Sequence, residues 1–184
     1  MFAFLLLTSL LEITGRVIGK RSHNNDWVYN IFVIAETLFT GVVYVYLVRQ
    51  YARNIKIHIA LLCLLALLYI YEVALHGFFV FNNITTAVMS VIFIGYSLYY
   101  YYLLIKDQGY FNLNTHPAFW WVAGSLFFYY GSSVISLYFA VFNIKNGDLF
   151  TYRHYAYLCF NIIHYGLWSY SYICRYRQQK LIHS

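Results

Sequence analysis

The strongest constraint on this chain is the recurrence of long apolar stretches separated by short polar clusters. At roughly 20 apolar residues per bilayer-crossing helix, residues 1–19, 27–49, 57–80, 84–105, 118–144 and 149–173 are the predicted spans. Only 10% of the 184 residues are charged and 62% are hydrophobic, whereas a soluble domain carries about 25% charged residues. One Pro and ten Gly among so many apolar side chains exclude a disordered tail or a collagen-like chain. The expected fold is an all-α integral membrane protein, a bundle of about six transmembrane helices with short loops, residues 1–184 making one helical domain. The first segment is broken by Glu12 and Arg16. It reads as a retained helix, because no basic residue precedes its apolar part and no small-residue cleavage site follows.

The formal net charge is +6, but the basic residues flank apolar segments, so membrane lipids rather than nucleic acid are the expected partner. Arg49, Arg53, Lys56, Lys106, Arg175, Arg177 and Lys180 fall on one side of a six-span topology, and Arg16, Lys20, Arg21, Lys145 and Arg153 on the other. The positive-inside rule then puts both termini in the cytoplasm, in an inner membrane. Trp27, Trp120, Trp121 and the tyrosines at 99–102 fit interfacial aromatic belts. Asn82 and Asn83, and the Asn146-Gly147 pair, predict tight connections. Cys63, Cys159 and Cys174 show no ligand-like spacing and read as small buried hydrophobes.

An ionisable side chain inside a span costs about 2.5–3.5 kcal/mol on insertion scales, which makes each one a functional candidate. Glu12, Glu36 and Glu72 are of this kind. With the third span running to residue 80, Glu36 and Glu72 both lie about 12 Å below the outer surface at 1.5 Å per residue, Glu12 at a comparable or shallower depth, and three carboxyls in one layer suggest a cavity open to the outside. Helical spacing adds Tyr69 and His76 to the face of Glu72, and Asn30, Thr37 and Thr40 surround Glu36. In the last span Tyr157, Asn161, His164 and Trp168 form a similar stripe. The candidate ligand-binding set is therefore Glu36, Glu72, His76, Glu12, Asn30, Tyr69, Asn161 and His164. The bland alternative is that such residues only join helices by hydrogen bonds. Gly124 and Gly131, with Ser125, Ser132, Ser133 and Ser136, predict a close-packing seam in the fifth span, toward the bundle or a second copy of the chain.

Reaction-specific signals are few. A haem would need two histidines at matched depth, and only His76 with His154 qualifies. Glu36, Glu72 and His76 are chemically suited to Zn or Mn, with no local metal signature to support them. Ser125 and His164 could be drawn as an intramembrane Ser–His pair, though no spacing requires it. The glycine-rich nucleotide loops and the G-x-S-x-G elbow do not occur. No catalytic residue, metal or cofactor is assigned.

The stretch from His116 and Pro117 through Phe119, Trp120, Gly124 and Leu126 to Gly131 resembles a group of small bacterial multi-pass proteins with a P-x-F-W…G-x-L-x-(F/Y)…G segment. Tyr29-Asn30, Glu36, and Glu12 with Gly15 also look like that group's pattern. Its members are often encoded beside sensor histidine kinases, so the resemblance implies a signalling role without supplying a ligand. The leading expectation is a membrane protein that binds a small ligand or ion in the outer-leaflet layer and signals to a cytoplasmic partner. A small cation- or proton-coupled transporter or channel is the alternative, and an intramembrane lipid-modifying enzyme ranks third.

Overall fold

The computed structural model describes residues 2–22, 25–51, 56–107, 113–141 and 147–182. Helices α1 (Phe2–Ser22), α2 (Asp26–Arg49), α3 (Lys56–His76), α4 (Asn83–Lys106), α5 (Pro117–Val141) and α6 (Gly147–Ile182) follow one another. A 3₁₀ turn, Leu113–Thr115, precedes α5. Among the described residues there is no strand. Arg53, Lys145 and Asn146 lie outside the described residues, as do the side chains of Glu12, Arg16, Lys20, Arg21, Arg153 and His154.

α2, α3, α4 and α5 are each long and apolar enough to cross a membrane. α6 falls short of that standard through composition, being rich in tyrosine and ending in Arg175, Arg177 and Lys180, and several side chains of α1 lie outside the described residues. The helices expose many large apolar side chains, including Leu38, Leu67, Ile70, Val91 and Leu137, each at least 60% exposed. A surface of that kind is what hydrocarbon surrounds and what water would not tolerate. Cys63 and Cys159 share that exposure, and Cys174 alone is buried, which corrects the expectation for two of the three cysteines.

The chain divides into two compact units, Met1–Met89 and Ser90–Ser184. In the first, α1 lies antiparallel on α2: the Phe4 and Phe39 rings stack at 3.9 Å, and at the other end Asn25 Nδ2 donates to the Gly15 carbonyl at 3.0 Å. α3 approaches α2 where Gly41 faces Leu62. α3 stops at His76, short of the predicted residue 80, because Gly77 takes a left-handed φ of +82° that ends the helix. α4 then starts at Asn83.

In the second unit α5 and α6 form an antiparallel hairpin joined by polar and aromatic rungs. From one end to the other, the Tyr157 and Ser136 hydroxyls share a hydrogen bond (2.6 Å), Phe128 stacks on His164 (4.7 Å), and Trp121 stacks on Trp168 (5.2 Å). Ser171 Oγ donates to the Pro117 carbonyl at 2.7 Å. The small-residue seam is filled from within the chain: a Cβ on Gly131 would lie 2.6 Å from the Phe160 ring, and one on Gly124 would lie 3.1 Å from Leu167 and Trp168. The seam expected to face the bundle or a second copy thus faces α6 at Gly124 and Gly131. The residues of α4 in this unit run beside α5, with Phe93 on Tyr129 (5.1 Å) and the Tyr101 hydroxyl donating to the Phe119 carbonyl (3.2 Å).

These contacts set two expected outcomes. Gly131→Leu overpacks the hairpin and should cost about 1–3 kcal/mol, whereas Gly95→Ala, whose Cβ meets nothing within 4 Å, should stabilise α4 by about 1 kcal/mol. Thermal unfolding in detergent reads both. At the start of α5, His116 Nδ1 accepts the Phe119 N–H at 3.3 Å, and burial lowers the pKa of this imidazole from its ordinary 6.5. The unfolded chain takes up the proton first, so this contribution to stability is complete above about pH 6.5 and declines as the pH falls below it. The melting temperature should therefore drop more steeply below that pH in the wild type than in His116→Asn.

Candidate functional site

The first amides of a helix have no carbonyl partners within the helix and need partners from elsewhere. At α4 the partner is Glu72, from the last turn of α3. Its Oε1 accepts the Ile84 N–H at 2.9 Å, and its Oε2 accepts both the Thr85 N–H and the Thr85 hydroxyl at 2.8 Å. Both oxygens of a carboxylate 5% exposed thus cap the positive end of α4.

Asn30 does the same for the connection between α3 and α4. Fully buried in α2, it donates through Nδ2 to the carbonyls of Phe78 and Val80, both at 2.8 Å, and accepts the Asn82 N–H through Oδ1 at 3.1 Å. The Tyr69 hydroxyl donates to the Asn30 carbonyl at 3.4 Å. Two polar side chains from α2 and α3 therefore hold residues 78–85 by their main chain.

Asn82 immediately precedes α4, and its carbonyl accepts the Thr86 N–H (3.2 Å) and hydroxyl (2.7 Å). An Asn in that position ordinarily caps its own helix with its side chain. Here Glu72 has taken the amides, and the fully buried Asn82 side chain has no partner for Nδ2 or Oδ1 among the described residues. A buried carboxamide with donor and acceptor both unused costs several kcal/mol on the order of general transfer data. A small molecule offering an acceptor and a donor side by side would satisfy both.

Of the expected site residues, Asn30, Tyr69 and Glu72 come together around this connection, and His76 is exposed at the last residue of α3. Glu36 is buried, 7% exposed, about 9 Å further along α2 from Asn30. The expected common layer of Glu36 and Glu72 is corrected by the end of α3: with α3 closing at His76, Glu72 lies only about 6 Å from the helix end. Beside Glu36, Thr37 Oγ1 donates to Met89 Sδ at 2.9 Å, and the fully buried Thr40 hydroxyl has no partner among the described residues. The Glu12 side chain is outside the described residues.

Asn161 and His164 belong to the second unit, on a stripe of α6 committed to α5. Trp168 Nε1 donates to the Trp121 carbonyl (3.1 Å) and to Ser125 Oγ (3.2 Å), and Ser125 Oγ donates to the same carbonyl (3.0 Å). The serine that could be paired with His164 is therefore held by tryptophans. His164 is 4% exposed, lies against Phe128 and Trp168, and its Nε2 has no partner among the described residues. Asn161 is half-buried one turn earlier. Among the described residues no three His, Cys, Asp or Glu side chains gather to hold a metal ion, so Glu36, Glu72 and His76 do not form one centre. The proposed haem pair cannot be drawn either, since the His154 side chain is not described.

Sequence reasoning took Asn82 only as a turn residue. Its signal was an Asn directly before a span with a carboxylate one turn before the preceding span's end, and reading it required the helix boundary. No family model matches the chain, and no curated protein or solved structure matches it.

Removing the Glu72 cap strands the buried Thr85 amide and the part-buried Ile84 amide, so Glu72→Ala should lower stability by on the order of 3 kcal/mol, with Glu72→Gln intermediate because one acceptor oxygen remains. Hydrogen exchange should accelerate at Ile84 and Thr85 while the α5–α6 amides stay protected.

Proposed function

We propose that this chain is a multi-pass inner-membrane protein that binds a small polar ligand or ion where α3 hands over to α4 and signals the occupancy to a cytoplasmic partner. The observation that carries the reading is the Asn82 carboxamide, fully buried beside the Glu72 cap and without a hydrogen-bond partner among the described residues. A ligand on Asn82 sits against the first turn of α4, which Glu72 ties to α3 through side-chain hydrogen bonds to its amides. Occupancy shifts that turn relative to α3, and α4 carries the shift to its far end at Lys106. The resemblance to proteins encoded beside sensor kinases supports the signalling half of the reading.

All six helices cross the bilayer in this proposal, with both termini in the cytoplasm. Support for the two less apolar spans is their pairing: α1 follows α2 from Phe4 on Phe39 to Gly15 on Tyr29, and α6 follows α5 from Tyr157 to Ser171. A transporter remains the second reading, and what would favour it is a broken span; α2 to α5 are continuous helices.

Native mass spectrometry of gently solubilised protein, with Asn82→Leu as the variant, tests the site. The wild type should carry a small polar adduct that the variant loses, while the variant stays folded and melts at an equal or higher temperature, since an unpartnered buried amide has been removed. A wild type without adduct sinks the ligand reading. Cross-linking in native membranes should recover a signalling protein; repeated failure to do so sinks the signalling half.

A further inference from the structure

The described part of α6 is 36 residues long, about 54 Å at 1.5 Å per residue, whereas the hydrocarbon core is about 30 Å thick. The apolar stretch closes near Ile173, and residues 174–182 continue as the same helix. One face of this extension is tied down: Cys174 Sγ donates to the Asn114 carbonyl (3.6 Å) and Gln178 Nε2 to the Thr115 carbonyl (3.1 Å). These anchors sit at i and i+4, so the extension is held rigidly against the turn before α5.

The other face is free and basic. Tyr176 and Lys180 are i, i+4 neighbours and Arg177 and Lys180 are i, i+3 neighbours, which puts their Cβ atoms within about 5–6 Å; all three are exposed. Arg175, two positions before Arg177, points elsewhere around the helix. Lys106, exposed at the end of α4, is at this same end of the unit, since Tyr101 of α4 bonds the start of α5 and Ser171 of α6 bonds Pro117. Among the described residues the carboxylate at this end is Asp107. Counted from Ile173, Tyr176 lies about 4.5 Å, Arg177 about 6 Å and Lys180 about 10 Å along the axis, and a headgroup layer is about 5–7 Å deep. Arg177 therefore stands at phosphate level, Lys180 reaches back to it by snorkelling, and Tyr176 fits the interfacial belt.

We propose that Tyr176, Arg177 and Lys180 form a binding site for the headgroup phosphate of an anionic phospholipid, with Arg177 forking the phosphate oxygens and Lys180 supplying a second charge. This rests on reading α6 as a membrane-crossing helix. The depth of the charges favours a lipid over an acidic protein, which would need them beyond the headgroups.

The full chain is reconstituted in nanodiscs containing equal phosphatidylcholine and phosphatidylglycerol, and the lipid retained on release is measured by native mass spectrometry. The wild type should retain phosphatidylglycerol. Arg177→Gln/Lys180→Gln, with unchanged melting temperature, should weaken that preference about 25-fold, at about five-fold per charge, Arg177→Gln alone about five-fold, and Arg175→Gln, whose charge lies off that face, clearly less than Arg177→Gln. Equal retention by wild type and double variant overturns the site. So does a loss as large in Arg175→Gln as in Arg177→Gln, which would mean diffuse charge. Capture of an acidic protein that only the double variant loses, with lipid retention unchanged, overturns it in favour of a protein partner. In a cysteine-free background, Tyr152→Cys and Gln179→Cys should react with impermeant maleimide from opposite sides. Labelling from one side overturns the span reading itself, separately from the lipid result.

Discussion

The first unit is organised around how the backbone polar groups at the α3–α4 reversal are paired. Gly77 ends α3 by adopting φ +82°, and that termination frees a short run of carbonyls and amides from helical hydrogen bonding. Apolar packing cannot solve this problem, since each unpaired group would cost about 1–3 kcal/mol. Asn30 and Glu72 solve it with directed hydrogen bonds, and in doing so they link α2, α3 and α4 at one end. The candidate site follows from the same arrangement, because a carboxylate that caps α4 from outside releases the Asn82 side chain from its ordinary task.

The second unit is organised by a different interaction. Glycines at 124 and 131 let α6 approach α5 closely enough for rings to stack and for hydroxyls to reach main-chain carbonyls. These rungs and the dispersion contacts between them join the two helices, as polar and small residues do in helix pairs that span lipid. Ser125 and Trp168 show how far this goes: two polar side chains that look functional in a span share the Trp121 carbonyl of α5. His164 differs in meeting rings and no hydrogen-bond partner among the described residues.

Much of the helix layout was legible from residue type alone. Arg49, Lys106 and the Asn82-Asn83 pair mark helix ends to within a residue, because charges and turn formers are excluded from hydrocarbon. The end of α3 was missed, since Phe78, Phe79 and Val80 are as apolar as a span and only the conformation of Gly77 separates them from one. That small error moved Glu72 from a buried layer to a helix cap. Cys63 and Cys159 were misjudged for a related reason: in a membrane, apolar side chains gain nothing by facing inward, so hydrophobicity does not report burial.

The sequence by itself determined that the chain is helical, that α2 to α5 are apolar enough for a bilayer, and that Asn30, Tyr69 and Glu72 lie inside α2 and α3. These are consequences of composition and period, which act locally. Only the tertiary structure decided which polar groups are spent and which remain: Asn30 and Glu72 on main-chain groups of the α3–α4 connection, Ser125 on tryptophans, the glycine seam on α6, and Asn82 on nothing among the described residues. Hydrogen bonds are directional and short, so their pairing depends on helix ends and neighbours that no single segment encodes.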